Sequence, residues 1–486
     1  MKPEQLNPGL LWKHFSSICS IPHPSGHLEG ISRYVKLIAE RNNLQIKTDE
    51  AGNILVSKPA SKGRENLPVI TLQSHLDMVP QKNSRTEHDF IKDPVKTYVD
   101  GEWLKAQGTT LGADNGIGVA ASLAAMEDSS LRHGPLEMFF TVDEETGMVG
   151  SLSLKEDFLK GKILMNLDSE HEGEIFIGCA GGVEAKVVIP VSREPLSGEK
   201  TALKIALRGL RGGHSGLDIH LGRGNALKIL AEIIAESTEH FDIALYDLYG
   251  GTVSNAIPRE AFCTVALPKN DLERFKQFCL GSGEKFKNEL GLVDPNISVE
   301  LTETEKTDQS PLTVQTQNSL LRSLLECPNG VTGRNSENPD LVETSLNLAL
   351  IHTEEKCIEA VLLLRSSNDS SRDRLAQRLQ TLFKAIGAEV YLYGEYPGWQ
   401  PDFGSRVVDM MKRCYKSLFD DELKVSVVHA GLECGIIGSK YPKMELVSFG
   451  PTIRFPHSPD ESVHIPSVGR FWSFLVQLLN CAGKYY

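Results

Sequence analysis

Five short motifs rich in acidic residues and histidine, each placed after an apolar strand-like run, constrain the fold of this chain most strongly. In chain order they are His75-Leu76-Asp77, Gly112-Ala113-Asp114-Asn115-Gly116, Asp143-Glu144-Glu145-Thr146-Gly147, Asn166-Leu167-Asp168 and Pro456-His457-Ser458-Pro459-Asp460-Glu461. Apolar runs that alternate with helical segments predict an α/β fold with a mostly parallel sheet. Because ligand sites in such sheets lie beyond the carboxyl ends of the strands, we expect the motifs to meet at one site.

The pattern of the chain changes twice, which predicts an insertion. Residues 68–78, 136–142 and 163–167 have the character of buried strands, and residues 115–126 that of a small-residue helix. From about residue 187, strands and helices follow in two rounds that have a similar order of elements. The sequence therefore predicts a discontinuous domain of residues 1–186 and 397–486, with an inserted α+β domain of residues 187–396.

Composition and charge narrow the possible partners and compartment. The chain has 486 residues, more than one hydrophobic core normally serves, and a formal net charge of −13. This charge disfavours nucleic acid or an anionic membrane surface as a partner. No apolar run is long enough to span a bilayer, and the N-terminus lacks the apolar core of a secretory signal. The nine dispersed cysteines include no CxxC pair, so we expect reduced thiols in the cytoplasm.

The histidines and carboxylates of the motifs are the side chains that divalent metal ions bind. His75 and Asp77 lie two residues apart, so in a strand they share a face. His75 can then bind metal while Asp77 accepts the other ring N–H and orients the imidazole. Asp114 lies in a glycine-rich turn that opens a helix, which suits either a bridging carboxylate or a plain helix N-cap.

The remaining motifs leave similar alternatives open. Glu144 and Glu145 are adjacent, so their side chains diverge, and one can bind metal while the other faces a water molecule. A solvated loop is the alternative for this pair. Asp168 suits either a metal ligand or a turn residue. His457 lies between two prolines that stiffen its loop, and it is either a ligand or an exposed histidine.

The charges of the motifs balance if two metal ions are bound. Two divalent ions carry four positive charges. Asp114, Glu145 and Asp168 supply three negative charges, and a bridging hydroxide supplies the fourth, while Glu144 remains free to act as a base. A metal pair of this kind generates hydroxide at neutral pH, so the motifs predict a hydrolase.

The ordered set HLD, LGADNG, DEETG, NLDSE and PHSPDE resembles the co-catalytic zinc exopeptidases, a family that includes carnosinases, tripeptidase and glutamate carboxypeptidases. The resemblance covers almost the whole chain, and the spellings GADNG and GMVGS resemble its aminoacyl-histidine dipeptidase branch. It implies two zinc ions per subunit, with manganese or cobalt as alternatives. The implied ligands and positions are His75 and Asp168 on one ion, Glu145 and His457 on the other, Asp114 as the bridge, Glu144 as general base, and Asp77 orienting His75.

This chain departs from the family pattern at Asn115, where several relatives carry a second Asp. The preceding carboxylate is the implied ligand, so metal binding should not change. A cis peptide bond often follows the bridging Asp in this family, and the Asp114–Asn115 bond is expected to be cis.

The resemblance also implies roles for the inserted domain, as a lid and a dimerisation domain of a homodimer. His214 resembles the family histidine that polarises the scissile carbonyl, while Asn255, Arg365 and Gly431 resemble substrate-binding positions, and Glu433 is a weaker candidate. Arg365 suits a free carboxylate because its guanidinium binds one with two parallel hydrogen bonds. The alternatives are a structural loop for His214, a turn for Asn255 and a surface cation for Arg365.

Three functions remain open at this point. The first is a cytoplasmic dizinc metallopeptidase that hydrolyses dipeptides, Xaa-His dipeptides such as carnosine among them, with a short peptide as its partner. The second keeps the metal site but cleaves N-acyl amino acids, as a deacylase of the same clan. The third is a metal-binding or peptide-binding scaffold without activity, which the presence of all five motifs argues against.

Overall fold

The chain forms two units, each with its own hydrophobic core. The computed structural model describes residues 3–304 and 309–484. Unit 1 comprises Met1–Cys179, Trp399–Val427 and Leu432–Tyr486, and unit 2 comprises Ala180–Gly398 and Val428–Gly431. The first boundary precedes residue 186 because Gly181–Pro190 is one continuous strand of unit 2. The role of unit 2 as a lid and dimerisation domain stays a prediction.

The described residues form more strands than the alternating pattern predicts. The strands are β1 (Gln45–Thr48), β2 (Ile54–Lys58), β3 (Ile70–His75), β4 (Thr97–Asp100), β5 (Trp103–Ala106), β6 (Leu136–Thr141), β7 (Ile163–Asn166), β8 (Glu174–Cys179), β9 (Gly181–Pro190), β10 (Lys200–Arg208), β11 (Gly213–His214), β12 (Ala244–Gly250), β13 (Ala256–Ile257), β14 (Ala261–Pro268), β15 (Ser298–Thr304), β16 (Gly330–Arg334), β17 (Val342–Thr353), β18 (Cys357–Ser366), β19 (Glu389–Tyr396), β20 (Lys424–Val428), β21 (Glu445–Ser448), β22 (Ile453–Arg454) and β23 (Ser462–His464). The α-helices are α1 (Gly9–Cys19), α2 (Glu29–Arg41), α3 (Ala113–Glu127), α4 (Val149–Ser153), α5 (Ala226–Ser237), α6 (Leu272–Leu290), α7 (Val314–Glu326), α8 (Asp369–Lys384), α9 (Arg406–Phe419), α10 (Glu433–Lys440) and α11 (Ile465–Cys481).

Unit 1 contains an eight-stranded sheet in the order β1-β2-β6-β3-β7-β21-β8-β20. The four central strands, β6, β3, β7 and β21, are parallel neighbours. Every residue of β3, β6 and β7 is buried, as expected for parallel strands covered on both faces. The pairs β1–β2, β2–β6 and β21–β8 are antiparallel. The predicted α/β class is therefore confirmed, with the parallel pairing concentrated in the centre of the sheet.

Small residues let helix α3 lie close to the end of β7. A Cβ atom on Gly118 would lie 2.6 Å from the backbone oxygen of Leu167, and one on Gly116 would lie 3.0 Å from the ring of Phe15. Only glycine fits such close approaches, so the GIG segment brings the start of α3 against the loop that follows β7. This contact places Asp114 and Asp168 in the same region.

A second, four-stranded sheet of unit 1 carries the last motif. Its order is β22-β23-β5-β4, and each pair is antiparallel. The connection between β22 and β23 contains His457 and Glu461. Two residues of this connection region have left-handed backbone conformations, Phe455 (φ 53°) and His457 (φ 58°). Non-glycine residues rarely adopt this conformation, and it concentrates at functional sites.

Unit 2 is built from two halves with the same topology. Its nine-stranded sheet has the order β15-β10-β14-β12-β17-β18-β9-β19, with β16 pairing to β17. The order β12-β14-β10-β15 repeats as β17-β18-β9-β19, and every pair within each half is antiparallel. The predicted repetition of element order is confirmed. One half, β10 to β15, is inserted between β9 and α7 of the other half.

Two further findings concern membrane-spanning helices and disulfide bonds. Among the described residues, helices long enough to cross a bilayer lack the apolar composition that crossing requires. The nine cysteines all lie in the described ranges and form no disulfide there.

Candidate metal centre

His75 and Asp168 meet because their strands are parallel neighbours. In the pairing of β3 with β7, Gln73 lies opposite Asn166. His75 follows Gln73 by two residues and is the last residue of β3, while Asp168 follows Asn166 by two residues and lies just beyond β7. His75 Nε2 lies 3.3 Å from Asp168 Oδ1, and both side chains are about nine-tenths buried or more. The sequence prediction that these two residues converge is therefore met in the structure.

Asp114 lies between two histidines that are far apart in sequence. Its Oδ1 is 3.2 Å from Nε2 of His75, and its Oδ2 is 3.3 Å from Nε2 of His457. His457 Nε2 is also 3.0 Å from Glu145 Oε1. One possible group of ligands, His75, Glu144 and Glu145, lacks Asp114. The other two groups are His75, Asp114 and Asp168, and Asp114, Glu145 and His457. Asp114 is shared by these two groups, one oxygen to each.

Asp114 does not cap a helix, which excludes the alternative left open by its sequence context. The N-cap of α3 is Gly112, whose φ of 71° lies in the left-handed region. Asp114 and Asn115 have non-helical backbone angles, and the peptide bond between them is cis, as expected. The side chain of Asp114 is therefore free to face the two histidines.

The donor set fits a pair of divalent cations. Two buried oxygens, Glu145 Oε1 and Asp168 Oδ1, accept no well-aligned hydrogen bond. Burial, together with the charge of Asp114, raises the pKa of Asp168 to about 7. Burial and the charges of Asp114 and Asp168 raise the pKa of Glu170 to about 8. A positive charge would stabilise the ionised form of these closely spaced buried carboxyl groups, and mixed imidazole and carboxylate ligands suit zinc, manganese or cobalt.

The carboxylate of Asp77 has other partners than the predicted ring N–H of His75. Strand β3 ends at His75, so Asp77 lies beyond the strand and the expected shared face does not apply. His75 Nδ1 lies 3.0 Å from the backbone oxygen of Asp77 and 3.5 Å from its carboxylate. The carboxylate instead accepts hydrogen bonds from the backbone N–H groups of Glu144 (3.0 Å) and Glu145 (3.1 Å) and from the Ser25 hydroxyl (2.8 Å). Burial opposes ionisation of Asp77, but the nearby His75 ring and the hydrogen bond from Ser25 lower its pKa to about 2.

Glu144 lies in the same loop as Glu145, but neither of the groups of potential ligands that contain Asp114 includes it. Burial raises the pKa of Glu144 well above its usual value, and the charges of Asp168, Glu433 and Glu145 add to this increase, whereas His75 opposes it. A carboxyl group of this kind accepts and returns a proton near neutral pH more readily than an exposed one. The loop itself is fixed to the end of β3 by the two backbone hydrogen bonds to Asp77.

Glu461 is a residue of the site that the sequence analysis quoted in a motif but gave no role. Its carboxylate is buried and accepts hydrogen bonds from four successive backbone N–H groups. The donors are Leu111 (2.7 Å), Gly112 (3.0 Å), Ala113 (2.8 Å) and Asp114 (3.3 Å). Since His457 belongs to the same loop as Glu461, this carboxylate joins the two segments that carry His457 and Asp114.

Replacing Glu461 by Gln should destabilise unit 1. An amide nitrogen would face two of the four backbone N–H groups, which would lose their acceptor. Each buried donor without a partner costs about 1–3 kcal/mol, so the free energy of unfolding should fall by at least about 2 kcal/mol. Urea unfolding of metal-free protein measures this change, with the neighbouring exposed residue in Asp460→Asn as the control. Equal unfolding midpoints for the two variants would contradict the role of Glu461.

Unit 2 holds the other residues that the sequence singled out. Nδ1 of His214 accepts hydrogen bonds from the backbone N–H groups of Gly216 (3.1 Å) and Leu217 (3.0 Å). Burial lowers the pKa of His214, and the charge of Arg365 acts in the same direction. The ring is therefore neutral and carries its proton on Nε2, which makes that atom a hydrogen-bond donor.

Arg365 is not a surface cation, so that alternative is wrong. It is 6% exposed, its Nη1 donates to the Tyr396 hydroxyl at 2.9 Å, and its buried Nε has no partner among the described residues. Asn255 is exposed, and its backbone oxygen accepts from the Ser215 N–H at 2.8 Å. Gly431 ends the segment Val428–Gly431 of unit 2.

His429 is a polar group of unit 2 that the sequence analysis missed. Its Nε2 lies 2.7 Å from the Ser345 hydroxyl, and burial, followed by the charge of Arg365, lowers its pKa to about 3. The ring is therefore neutral. The one sequence signal that could have identified His429 is that it lies two residues before Gly431, a predicted substrate-binding position.

Comparison with known proteins identifies the family. A model of the peptidase family M20/M25/M40 matches residues 71–480, which is most of the chain. The chain belongs to this family. Both the resemblance predicted from the five motifs and the predicted enzyme class, a peptide-bond hydrolase, are confirmed. All five proposed metal ligands lie within the matched range.

Individual relatives agree with this assignment. The cytosol non-specific dipeptidase of Escherichia coli (strain K12) is 45% identical over 98% of each chain. The crystal structure of aminoacylhistidine dipeptidase from Vibrio alginolyticus has a TM-score of 0.93 and 43% identity, and the match covers 99% of this chain and 98% of that one. Aminopeptidase PepT from Bacillus cereus, at 15% identity and a TM-score of 0.59, shares the fold, with 98% and 99% coverage.

Proposed function

We propose that this protein is a dipeptidase that depends on two divalent metal ions, with zinc, manganese and cobalt as the candidates. The observation that carries the proposal is the position of Asp114, whose two oxygens face His75 and His457 separately. A carboxylate shared in this way is what two adjacent ions require. The names of the two relatives with more than 40% identity, both dipeptidases, support the choice of substrate class.

Each proposed role follows from the surroundings of a side chain. His75 and Asp168 would hold one ion, Glu145 and His457 the other, and Asp114 both. When bound, such ions lower the pKa of water and polarise the carbonyl group of a peptide. Glu144 takes a proton from the attacking water and passes it to the leaving amine.

Two groups of unit 2 complete the proposed chemistry. The N–H at Nε2 of His214 donates a hydrogen bond to the oxygen that becomes negative during attack. Arg365 binds the carboxylate of the peptide, because a guanidinium can hold a carboxylate with two parallel hydrogen bonds and its Nε has no partner in the described part of the chain. Asn255 and Gly431 are proposed as further contacts to the substrate.

The substrate specificity, that is, which dipeptides the enzyme cleaves, is proposed separately. One relative is named a non-specific dipeptidase and the other an aminoacylhistidine dipeptidase, so the two names differ in specificity. We propose that Xaa-His dipeptides, carnosine included, are among the substrates. A cytoplasmic location is proposed in agreement with the name of the Escherichia coli relative. The homodimer stays a prediction, which sedimentation of the purified protein would check.

Metal removal should abolish hydrolysis of a dipeptide panel, and added zinc, manganese or cobalt should restore it. The panel pairs each free dipeptide, Xaa-His included, with its N-acetyl form. A dipeptidase cleaves the free forms preferentially. Preference for the acetylated forms would instead support an N-acyl amino acid deacylase, and activity that survives complete metal removal would refute the proposed mechanism.

A further inference from the structure

A row of buried polar side chains crosses the central strands of unit 1 behind the metal centre. We refer to it as the buried polar chain, and its members are Ser169, Ser448, Asn166, Gln73, Thr141, Glu433 and Ser151. All seven are at most 6% exposed. Gln73 and Asn166 each lie two residues before a proposed ligand, His75 and Asp168 respectively. None of the proposed catalytic steps uses this chain.

The hydrogen bonds of the buried polar chain run in one direction. The Ser448 hydroxyl donates to Oδ1 of Asn166, which uses its single proton. The Ser169 hydroxyl must therefore be the donor to Ser448 Oγ, at 2.7 Å. Nδ2 of Asn166 donates to Oε1 of Gln73 at 2.6 Å, and Nε2 of Gln73 donates to Oε2 of Glu433 at 2.5 Å. Every donor along this path points towards Glu433.

Glu433 receives two more hydrogen bonds at the end of the path. The Thr141 hydroxyl donates to its Oε2 at 2.9 Å, and the Ser151 hydroxyl donates to its Oε1. An ionised carboxylate satisfies all three donors at once, because it only accepts hydrogen bonds. Among the described residues, no Lys or Arg is paired with Glu433, and burial raises the pKa of its carboxyl group. A buried anion without a paired cation is costly unless positive charge lies nearby.

We propose that Glu433 is a positioning residue of the metal centre, whose negative charge is balanced by the bound metal pair. This inference rests on the proposed function, since it requires that the site binds divalent ions. Through Gln73 and Thr141, Glu433 fixes the ends of the neighbouring strands β3 and β6. Those ends lead directly to His75 and to the loop that carries Glu144.

The helix that carries Glu433 is itself held in place. Glu433 is the first residue of α10, where the helix dipole favours a negative charge. At the other end of α10, Lys440 Nζ donates to the backbone oxygens of Ser151 (3.0 Å) and Leu154 (2.7 Å). Helix α10 is thus attached to α4 at both ends, which keeps the carboxylate of Glu433 beneath the strand ends.

Glu137 provides a matched control at the opposite end of the same strands. It is 3% exposed and accepts hydrogen bonds from the Thr71 hydroxyl and from the backbone N–H groups of Lys160 and Gly161, all at about 3 Å. It is therefore also a buried carboxylate that accepts from three donor groups. Because Glu137 and Thr71 lie at the starts of β6 and β3, Glu137 is remote from the ends that carry the ligands.

The experiment compares Glu433→Gln with Glu137→Gln by zinc titration of chelator-treated protein, and by thermal unfolding with and without zinc. Glu433→Gln should weaken zinc binding by about 10- to 100-fold, the range for groups that support metal ligands. Zinc should raise its melting temperature by less than it raises that of the unsubstituted protein. Glu137→Gln should bind zinc like the unsubstituted protein, whatever its stability without metal.

A second variant covers the case in which Glu433→Gln does not fold. Ser448→Ala removes the donor to Asn166 in the middle of the buried polar chain and should weaken zinc binding severalfold. Unchanged zinc affinity in Glu433→Gln, or in Ser448→Ala if only that variant folds, would overturn the role of Glu433 alone. If the unsubstituted protein bound none of zinc, manganese and cobalt, the proposed function would be overturned together with this inference.

Discussion

Replacing Glu144 by Gln should leave the metal content of the protein unchanged and slow dipeptide hydrolysis by about 10²- to 10⁴-fold. The amide has the same shape as the carboxylate but cannot take a proton from water. Its backbone N–H would still donate to Asp77, so the loop that carries Glu145 should keep its position. Elemental analysis and steady-state kinetics on one preparation measure both quantities.

Asp143→Asn is the matched control for Glu144→Gln. Asp143 is the neighbouring acid and accepts a hydrogen bond from the Gly26 N–H at 2.6 Å, which an Asn side chain can also accept. Its φ of 51° is one that Asn tolerates well. Activity in Asp143→Asn should therefore be close to that of the unsubstituted protein. If Glu144→Gln were equally active, Glu144 would not be the general base.

Asp114→Ala should abolish binding of both metal ions, whereas His457→Ala should lose only one. The two oxygens of Asp114 face different histidines, so its removal takes a ligand from each half of the site. Among the described residues, His457 forms its ion pairs with Asp114 and Glu145. In Asp114→Ala the affinity should fall beyond the roughly 100-fold that loss of a supporting group causes, because a ligand itself is lost.

The stoichiometry of bound metal distinguishes these two variants. Isothermal titration with zinc should give two ions for the unsubstituted protein, about one for His457→Ala and none at micromolar concentration for Asp114→Ala. A full complement of two ions in Asp114→Ala would mean that Asp114 does not bridge. Circular dichroism before the titration would confirm that both variants are folded.

The convergence of the motifs could be predicted from the sequence because it follows from general properties of parallel sheets. Adjacent parallel strands end at the same edge, so His75 at the end of β3 and Asp168 just after β7 must lie close together. The glycines around Asp114 likewise indicated a close approach of the chain, and a Cβ atom on Gly118 would lie 2.6 Å from the backbone oxygen of Leu167. The family was predicted from the order of the same motifs and is confirmed.

The supporting residues could not be predicted, because their partners are distant in sequence. Glu461 accepts from residues 111–114, and Glu433 accepts from Gln73, Thr141 and Ser151. Acidic residues at such positions are usually exposed, and periodicity does not reveal which backbone groups they meet. The prediction that Asp77 shares a strand face with His75 was wrong, because β3 ends at His75 and Asp77 lies beyond it. The exact end of a strand is not evident from an apolar run.

The order of the strands in unit 2 has a consequence for synthesis of the chain on the ribosome. Strand β9 is the first strand of unit 2 to leave the ribosome, but its partners within the described ranges are β18 and β19, which follow after the whole β10–β15 half. Until those strands emerge, both edges of β9 stay without partners, a state in which nascent chains aggregate. The segment from β10 to β15 is continuous and can pair within itself much earlier. Maturation of this unit should therefore wait for the late translation of β18 and β19, and a chain truncated before them would leave β9 exposed.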